Sequence, residues 1–159
     1  MHARQTIREA IATILATTPT NWASVLQTRI ATTRQIWPFL MVYAVDESAE
    51  QLLIHPVGIY DRTATIHVVG MLKMPGTGDG SGNMETVEDR MDALSAEVET
   101  KLTNATLKAS VAKVQTLALQ STGMEIVIND EDGSISHAAV TQVWSVTYAT
   151  TEGLPETLI

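Results

Sequence analysis

The chain has no cysteine. That excludes a disulfide framework, thiolate metal sites and cysteine nucleophiles, and it suits a reducing compartment. Aromatics are few: three Trp, three Tyr and one Phe. A core drawn from this composition is mostly aliphatic and Met. No apolar run approaches the ~20 residues of a helical membrane span. The opening residues, MHARQTIREA, lack the apolar stretch of a signal peptide. Cations are scarce as well. Ten Lys and Arg stand against eighteen Asp and Glu, a net charge of −8. Phosphate binding needs clustered Lys and Arg, so so acidic a chain is a poor wrapper of nucleic acid. The charge is also uneven: residues 1–40 sum to +3, residues 41–100 to −8 and the remainder to −3.

What is present is enough for a core. The 159 residues, 45% of them hydrophobic, fit one domain rather than a disordered chain. The organising stretch is 37–73, WPFLMVYAVDESAEQLLIHPVGIYDRTATIHVVGMLK. β-branched and aromatic residues fill it, and turn-forming residues punctuate it. The pattern predicts strands over 39–45, 52–60 and 63–73. Asp46 to Gln51 reads as a polar turn and Tyr60-Asp61-Arg62 as a tight one. Within 63–70, Thr63, Thr65, His67 and Val69 alternate with Ala64, Ile66, Val68 and Gly70, which predicts a strand with two differently packed faces. Gly58 and Gly70 mark bulges or close approaches. His55 and His67 fall in strands without the further ligands a metal site needs.

Two helices flank this sheet. Residues 4–16 carry Ile7, Ala10, Ile11, Ile14 and Leu15 at helical spacing, and Pro19 ends the run. Its polar face is too weakly basic for a membrane-surface helix. Residues 87–107 form the second helix, with Val87, Met91, Leu94, Val98 and Leu102 as its apolar stripe. Thr86 is its expected N-cap, and Glu85, Glu88, Asp89 and Asp92 crowd its positive end. Between 21 and 36, Trp22, Val25, Gln27 and Arg29 suggest a short strand. Further strands are expected at 114–120, 124–128 and 136–149, with Asp132-Gly133 as hairpin chemistry and a loose tail after 150.

The motifs that resemble ligand loops fail in detail. Residues 75–83, PGTGDGSGN, lack the Lys-Ser/Thr of a phosphate loop, and Asn83-Met84 follow the last glycine. A dinucleotide fingerprint counted from Gly76 meets Ser81 at its sixth place, and from Gly78 it meets Asn83. This segment reads as a flexible Gly-rich arm. The acids at 130–132 fail as a calcium loop, because Ile128 and Ala139 would occupy its first and twelfth positions. No nucleophile elbow, HExxH or close His pair occurs. The residues therefore predict no catalytic, cofactor-binding or metal-binding set, and no enzyme. The fold class they predict is α+β: an antiparallel or mixed β-sheet packed with two helices, in a single domain without internal repeats.

The order of elements, with Trp37-Pro38-Phe39-Leu40-Met41-Val42-Tyr43 as a Pro-led strand followed by Asp46 and Glu47, resembles the minor tail protein U family. These are the tail terminators of long-tailed bacteriophages. The N-terminal Arg-containing helix is similar. So are the helix carrying Glu88-Asp89 and Met91-Asp92-Ala93-Leu94, and the late strand with Val146-Thr147-Tyr148. The resemblance spans most of the chain and brings no catalytic motif. It implies a structural virion protein, made in the host bacterial cytoplasm, that assembles as a homohexameric ring. Such a ring caps the last ring of the tail tube, stops tube polymerisation and presents a surface to head-completion or neck proteins. DNA would be only cargo passing through its lumen. The alternatives are another neck or tail-tube component, or a small-molecule binding domain or enzyme, which would need a pocket with converging polar groups.

Overall fold

The computed structural model describes residues 2–29, 36–53, 58–73, 84–128 and 135–159. Among these the elements run α1 (Ala3–Ala16), β1 (Ser24–Leu26), β2 (Phe39–Leu53), β3 (Ile59–Lys73), α2 (Met84–Lys101), α3 (Asn104–Ser110), β4 (Val114–Ile128), β5 (Ile135–Thr151) and β6 (Leu154–Leu158). The strands form one mixed sheet in the order β1-β2-β3-β5-β4, and β6 pairs with β5. Only the β1–β2 pairing is parallel. The α+β class is as the sequence predicts.

All three helices pack on one face of this sheet. The stripe of α1 buries Ile7, Ile11 and Leu15, and that of α2 buries Val87, Met91, Leu94 and Val98. Beneath them lie Leu40 and Val42 of β2, Ala64, Ile66, Val68 and Leu72 of β3, and Val140, Trp144, Val146 and Tyr148 of β5. Side chains in a strand alternate between faces, so the even-numbered residues of β3 and β5 enter this core. The odd-numbered Thr63, Thr65, His67, Thr141, Val143, Ser145 and Thr147 are half-buried on the opposite face. The predicted two-faced alternation of β3 is therefore observed. On the opposite face a smaller cluster gathers Phe39, Met41 and Val69 with Leu26, Trp37, Tyr43 and Met71. There the Trp37 and Phe39 rings meet edge to face, 4.8 Å between centroids.

Several expected boundaries are corrected. Asp46 to Gln51 is no turn, and neither is Tyr60-Asp61-Arg62. Both lie inside long strands, with Glu47 opposite Ala64, Glu50 opposite Asp61 and Gln51 opposite Tyr60. The polar residues that read as turns are strand residues whose side chains reach partners or solvent. The direction of the chain reverses between Leu53 and Gly58 instead. His55, the Gly-rich arm at 75–83 and the acids at 130–132 lie outside the described residues. The second helix begins at Met84, so Thr86 is within it rather than capping it, and it ends at Lys101. Thr103 then caps a third helix, in a capping box with Thr106. The two strands expected at 114–120 and 124–128 are one, with a register shift between Leu119 and Ser121. The tail is not loose, since Leu158 pairs with Thr150 and Leu154 with Thr151.

Gly70 is a close approach, as expected. A Cβ there would lie 2.4 Å from Cη2 of Trp22 and 3.0 Å from Cγ1 of Val140. Glycine there leaves room for the edge of the buried indole against the central strand. Gly70→Ala should cost about 1–3 kcal/mol through overpacking. In a domain of this size that lowers the melting temperature by roughly 2–4 °C per kcal/mol. An unchanged thermal transition would mean that Trp22 does not rest on β3.

Candidate functional site

No group of three or more His, Cys, Asp and Glu side chains that could hold a metal occurs among the described residues. The polar side chains instead form anchors between elements. Beneath the N-terminus of α1, Glu47 of β2 pairs with Arg62 of β3 and lies 3.7 Å from Arg4 Nε. Arg62 Nε also donates to Thr150 Oγ1 at 2.8 Å. Tyr148 is buried beside them. Burial first, and then the Glu47 carboxylate, push its phenol pKa upward. The cluster ties α1, β2, β3 and β5 together, and removing either partner of its ion pair would strand a charge in a dry place.

A second anchor fixes the end of α1. Glu97 of α2 accepts from Thr20 Oγ1 at 2.7 Å, from Asn21 Nδ2 at 2.8 Å and from Asn21 N at 3.1 Å. Lys101 lies 3.0 Å from the same carboxylate and donates to Thr17 O at 2.8 Å, filling an acceptor that the helix end leaves open. Burial alone would raise the Glu97 pKa. The hydrogen bonds from Thr20, Lys101 and Asn21 outweigh it, and the net shift is downward from 4.5. The anchor's stability is thus fully present above pH 4.5 and is lost as pH falls through the lower folded value. Glu97→Gln should cost about 1 kcal/mol near neutrality, less than the ~1.5–3 kcal/mol of a hydrogen bond to a charged group because the amide keeps part of the bonding and the site is partly solvated. Its deficit against the parent should shrink in thermal melts below pH 4.5. A deficit that stays constant as pH falls below 4.5 would assign the loss to packing.

A third anchor is buried. Gln142 of β5 donates from Nε2 to Ser95 Oγ at 2.8 Å and to Glu99 Oε1 at 3.0 Å. Its Oε1 accepts from Trp144 Nε1 at 3.3 Å. The network holds α2 in register over the sheet.

Two further side chains act on the sheet edges. Asn104, at the start of α3, brackets Leu117. Its Oδ1 accepts from Leu117 N at 2.7 Å, and its Nδ2 donates to Leu117 O at 3.0 Å. It takes the place of one residue of a neighbouring strand on the outer side of β4. On the other edge, Arg29 donates to the Ala44 and Val45 carbonyls, where β2 shifts register. The Arg29 guanidinium also sits 5.3 Å from the Tyr43 ring centroid, and the His67 ring lies 5.6 Å from that centroid. Burial, then Arg29, lowers the His67 pKa, with Asp46 opposing. His67 thus lies in a strand, as expected.

A groove of about 450 Å³ opens between the ends of α1, α2 and α3, lined by Ile14, Thr17, Pro19, Lys101, Thr106 and Ala109 among others. Lys101, its charged member, already serves Glu97 and Thr17. Sequence reading missed Glu47, Arg62, Glu97, Asn104 and Gln142. Glu47 was read only as part of the resemblance and Arg62 only as part of a turn, and each of the five acquires its role from a residue 13 to 88 positions away.

No family model matches the chain, and no curated protein does. Among solved structures it is similar to a chain in the virion of a native gene transfer agent particle. The TM-score is 0.45 and the identity 11%, over 94% of this chain and 92% of that one.

Proposed function

We propose that the protein is a structural virion component, a tail terminator that assembles as a homohexameric ring. The ring would cap the last ring of the tail tube, stop its growth and offer the neck proteins a surface. The observation that supports this reading is that the residues carrying the resemblance to the minor tail protein U family share one packed unit. The Pro-led strand supplies Leu40 and Val42, the acidic helix supplies Met91 and Leu94, and the late strand supplies Val146 and Tyr148 to the same core. The work of such a protein is steric. It needs one face complementary to the tube and another that refuses a further ring.

Sedimentation and negative-stain electron microscopy of the purified chain, alone and with tail tubes, test this. Closed rings with a central hole, seated at tube ends, are the expected result. Tubes grown from this chain alone would assign it to the tube instead. A monomer under every condition, with no effect on tube length, would overturn the proposal.

A further inference from the structure

We infer that the two sheet edges left open among the described residues are complementary halves of one contact between copies of this chain, in which residues 119–127 of β4 pair antiparallel with residues 46–52 of β2 in the next copy. The inference rests on the assembly reading above and adds the surface that would carry it.

The topology supplies the first argument. β4 is the outermost strand on one side. β2 is outermost on the other beyond Met41, where its pairing with β1 stops. The two run antiparallel to each other within the sheet, because β3 and β5 lie between them and each adjacent pairing is antiparallel. Across the sheet Glu47 is level with Leu117 and Leu40 with Met124, so copies placed side by side with the same faces aligned, each staggered along the strands from the last, bring these two segments together in antiparallel sense, the sense used by every long strand pair of this sheet.

The second argument is how little protects these edges. An isolated protein blunts an exposed edge with charged side chains, above all Lys, with Pro, with bulges or with a covering element. Among the described residues, Asn104 covers the β4 edge at Leu117 and Arg29 covers the β2 edge at Ala44 and Val45. Beyond those points the runs are DESAEQL and LQSTGMEIV, without Lys, Arg or Pro; what guards them is Asp46, Glu47, Glu50 and Glu125 and the register shifts at Ala44/Asp46, Gln51/Leu53 and Leu119/Ser121. Leu119 and Ile126 pack against the core, but Leu52 is 55% and Met124 44% exposed. A Cβ at Gly123 would meet nothing within 4 Å. Backbone pairing plus these side chains would satisfy both edges at once.

The third argument selects the partner. A foreign strand would satisfy one edge and leave the other bare. A second copy uses both in one heterologous contact, and a ring closed by that contact leaves neither of these two exposed.

The cysteine-free chain makes the test direct. Ser48 and Glu50 on β2, and Ser121 and Gly123 on β4, lie on the same face of the sheet and are exposed. β2 and β4 of one copy are three strand spacings apart, about 14 Å. That is beyond the ~7 Å a disulfide spans, so any bridge between them joins two molecules. Ser48→Cys or Glu50→Cys protein is mixed with Ser121→Cys or Gly123→Cys protein at an ionic strength where sedimentation shows oligomers. The mixtures should yield reducible dimers under mild oxidation, and each variant alone should not. Met124→Lys, with an unchanged melting temperature, should weaken assembly at least tenfold. Dimers of a β4 variant with itself would overturn the proposal in favour of a two-fold contact. Oligomers that persist in Met124→Lys without any β2–β4 bridge would overturn it while leaving assembly intact. A chain that stays monomeric throughout would overturn both readings.

Discussion

Met91→Asp should abolish the folded subunit. Met91 has no exposed surface and sits in the main core, where α2 covers the sheet. Losing its burial costs about 1.5–3 kcal/mol. Forcing a carboxyl into the vacated space adds a penalty of similar size even if it protonates. A total of about 4–5 kcal/mol is a large share of the roughly 5–15 kcal/mol that holds a domain together. The expected result is insoluble protein, or a thermal transition lowered by roughly 10–20 °C. Asp92→Ala, one residue on and exposed, should melt like the parent. The same change at Leu94 should be milder. Leu94 borders an opening of about 320 Å³ that Arg90 also lines, so an aspartate there has a counter-ion one turn away. A soluble Met91→Asp protein with a parental transition would mean that α2 does not pack as described.

The contrast between Met91 and Asp61 shows what was legible in the chain. Met91 belongs to a stripe at spacings of four, three, four and four, and a period of 3.6 leaves one face for it to occupy. Helix α1 and the alternation of β3 were readable for the same reason. Asp61 was misread because Tyr-Asp-Arg has turn composition. Its place inside β3 is settled across the sheet, where Glu50 and Ala149 lie on either side of it. The break after Lys101 was hidden in a similar way. The apolar stripe runs on through Leu102 to Leu107, both buried, while the backbone restarts its helix at the Thr103 cap. Periodicity reports which side chains are buried, not whether the hydrogen-bond ladder is continuous.

The candidate contact was less legible than the fold. Edge status depends on strand order, and strand order is a long-range property that local pattern does not encode. The runs 46–52 and 119–127 differ from interior strands in carrying fewer β-branched residues, which is a weak signal. Asn104 and Arg29 were invisible as edge guards because one polar side chain near a helix start or in a loop has many possible roles. Topology gives them this one.

Raising the ionic strength should drive the protein toward rings. Each copy carries −8, so a six-copy ring concentrates six times that charge. The inferred contact adds to the repulsion locally. Asp46 and Glu50 on β2 would approach Glu125 on β4, and neither run has a cation. What favours pairing there is backbone hydrogen bonding and apolar burial at Leu52 and Met124, which salt does not weaken. Screening length falls from ~30 Å at 0.01 M to ~10 Å at 0.1 M salt, so repulsion between copies fades while the attraction remains. Sedimentation should therefore show monomers at 0.01 M and a growing oligomer fraction from 0.1 M upward. A competing term has the opposite sign. Residues 1–40 sum to +3 and residues 41–100 to −8, and a neighbour that brought these segments together would bind most tightly at low salt. The measurement separates the two. Rings that form at 0.01 M and dissociate as salt rises would place Arg–carboxylate pairs at the contact and exclude the β2–β4 edge pairing as its main source.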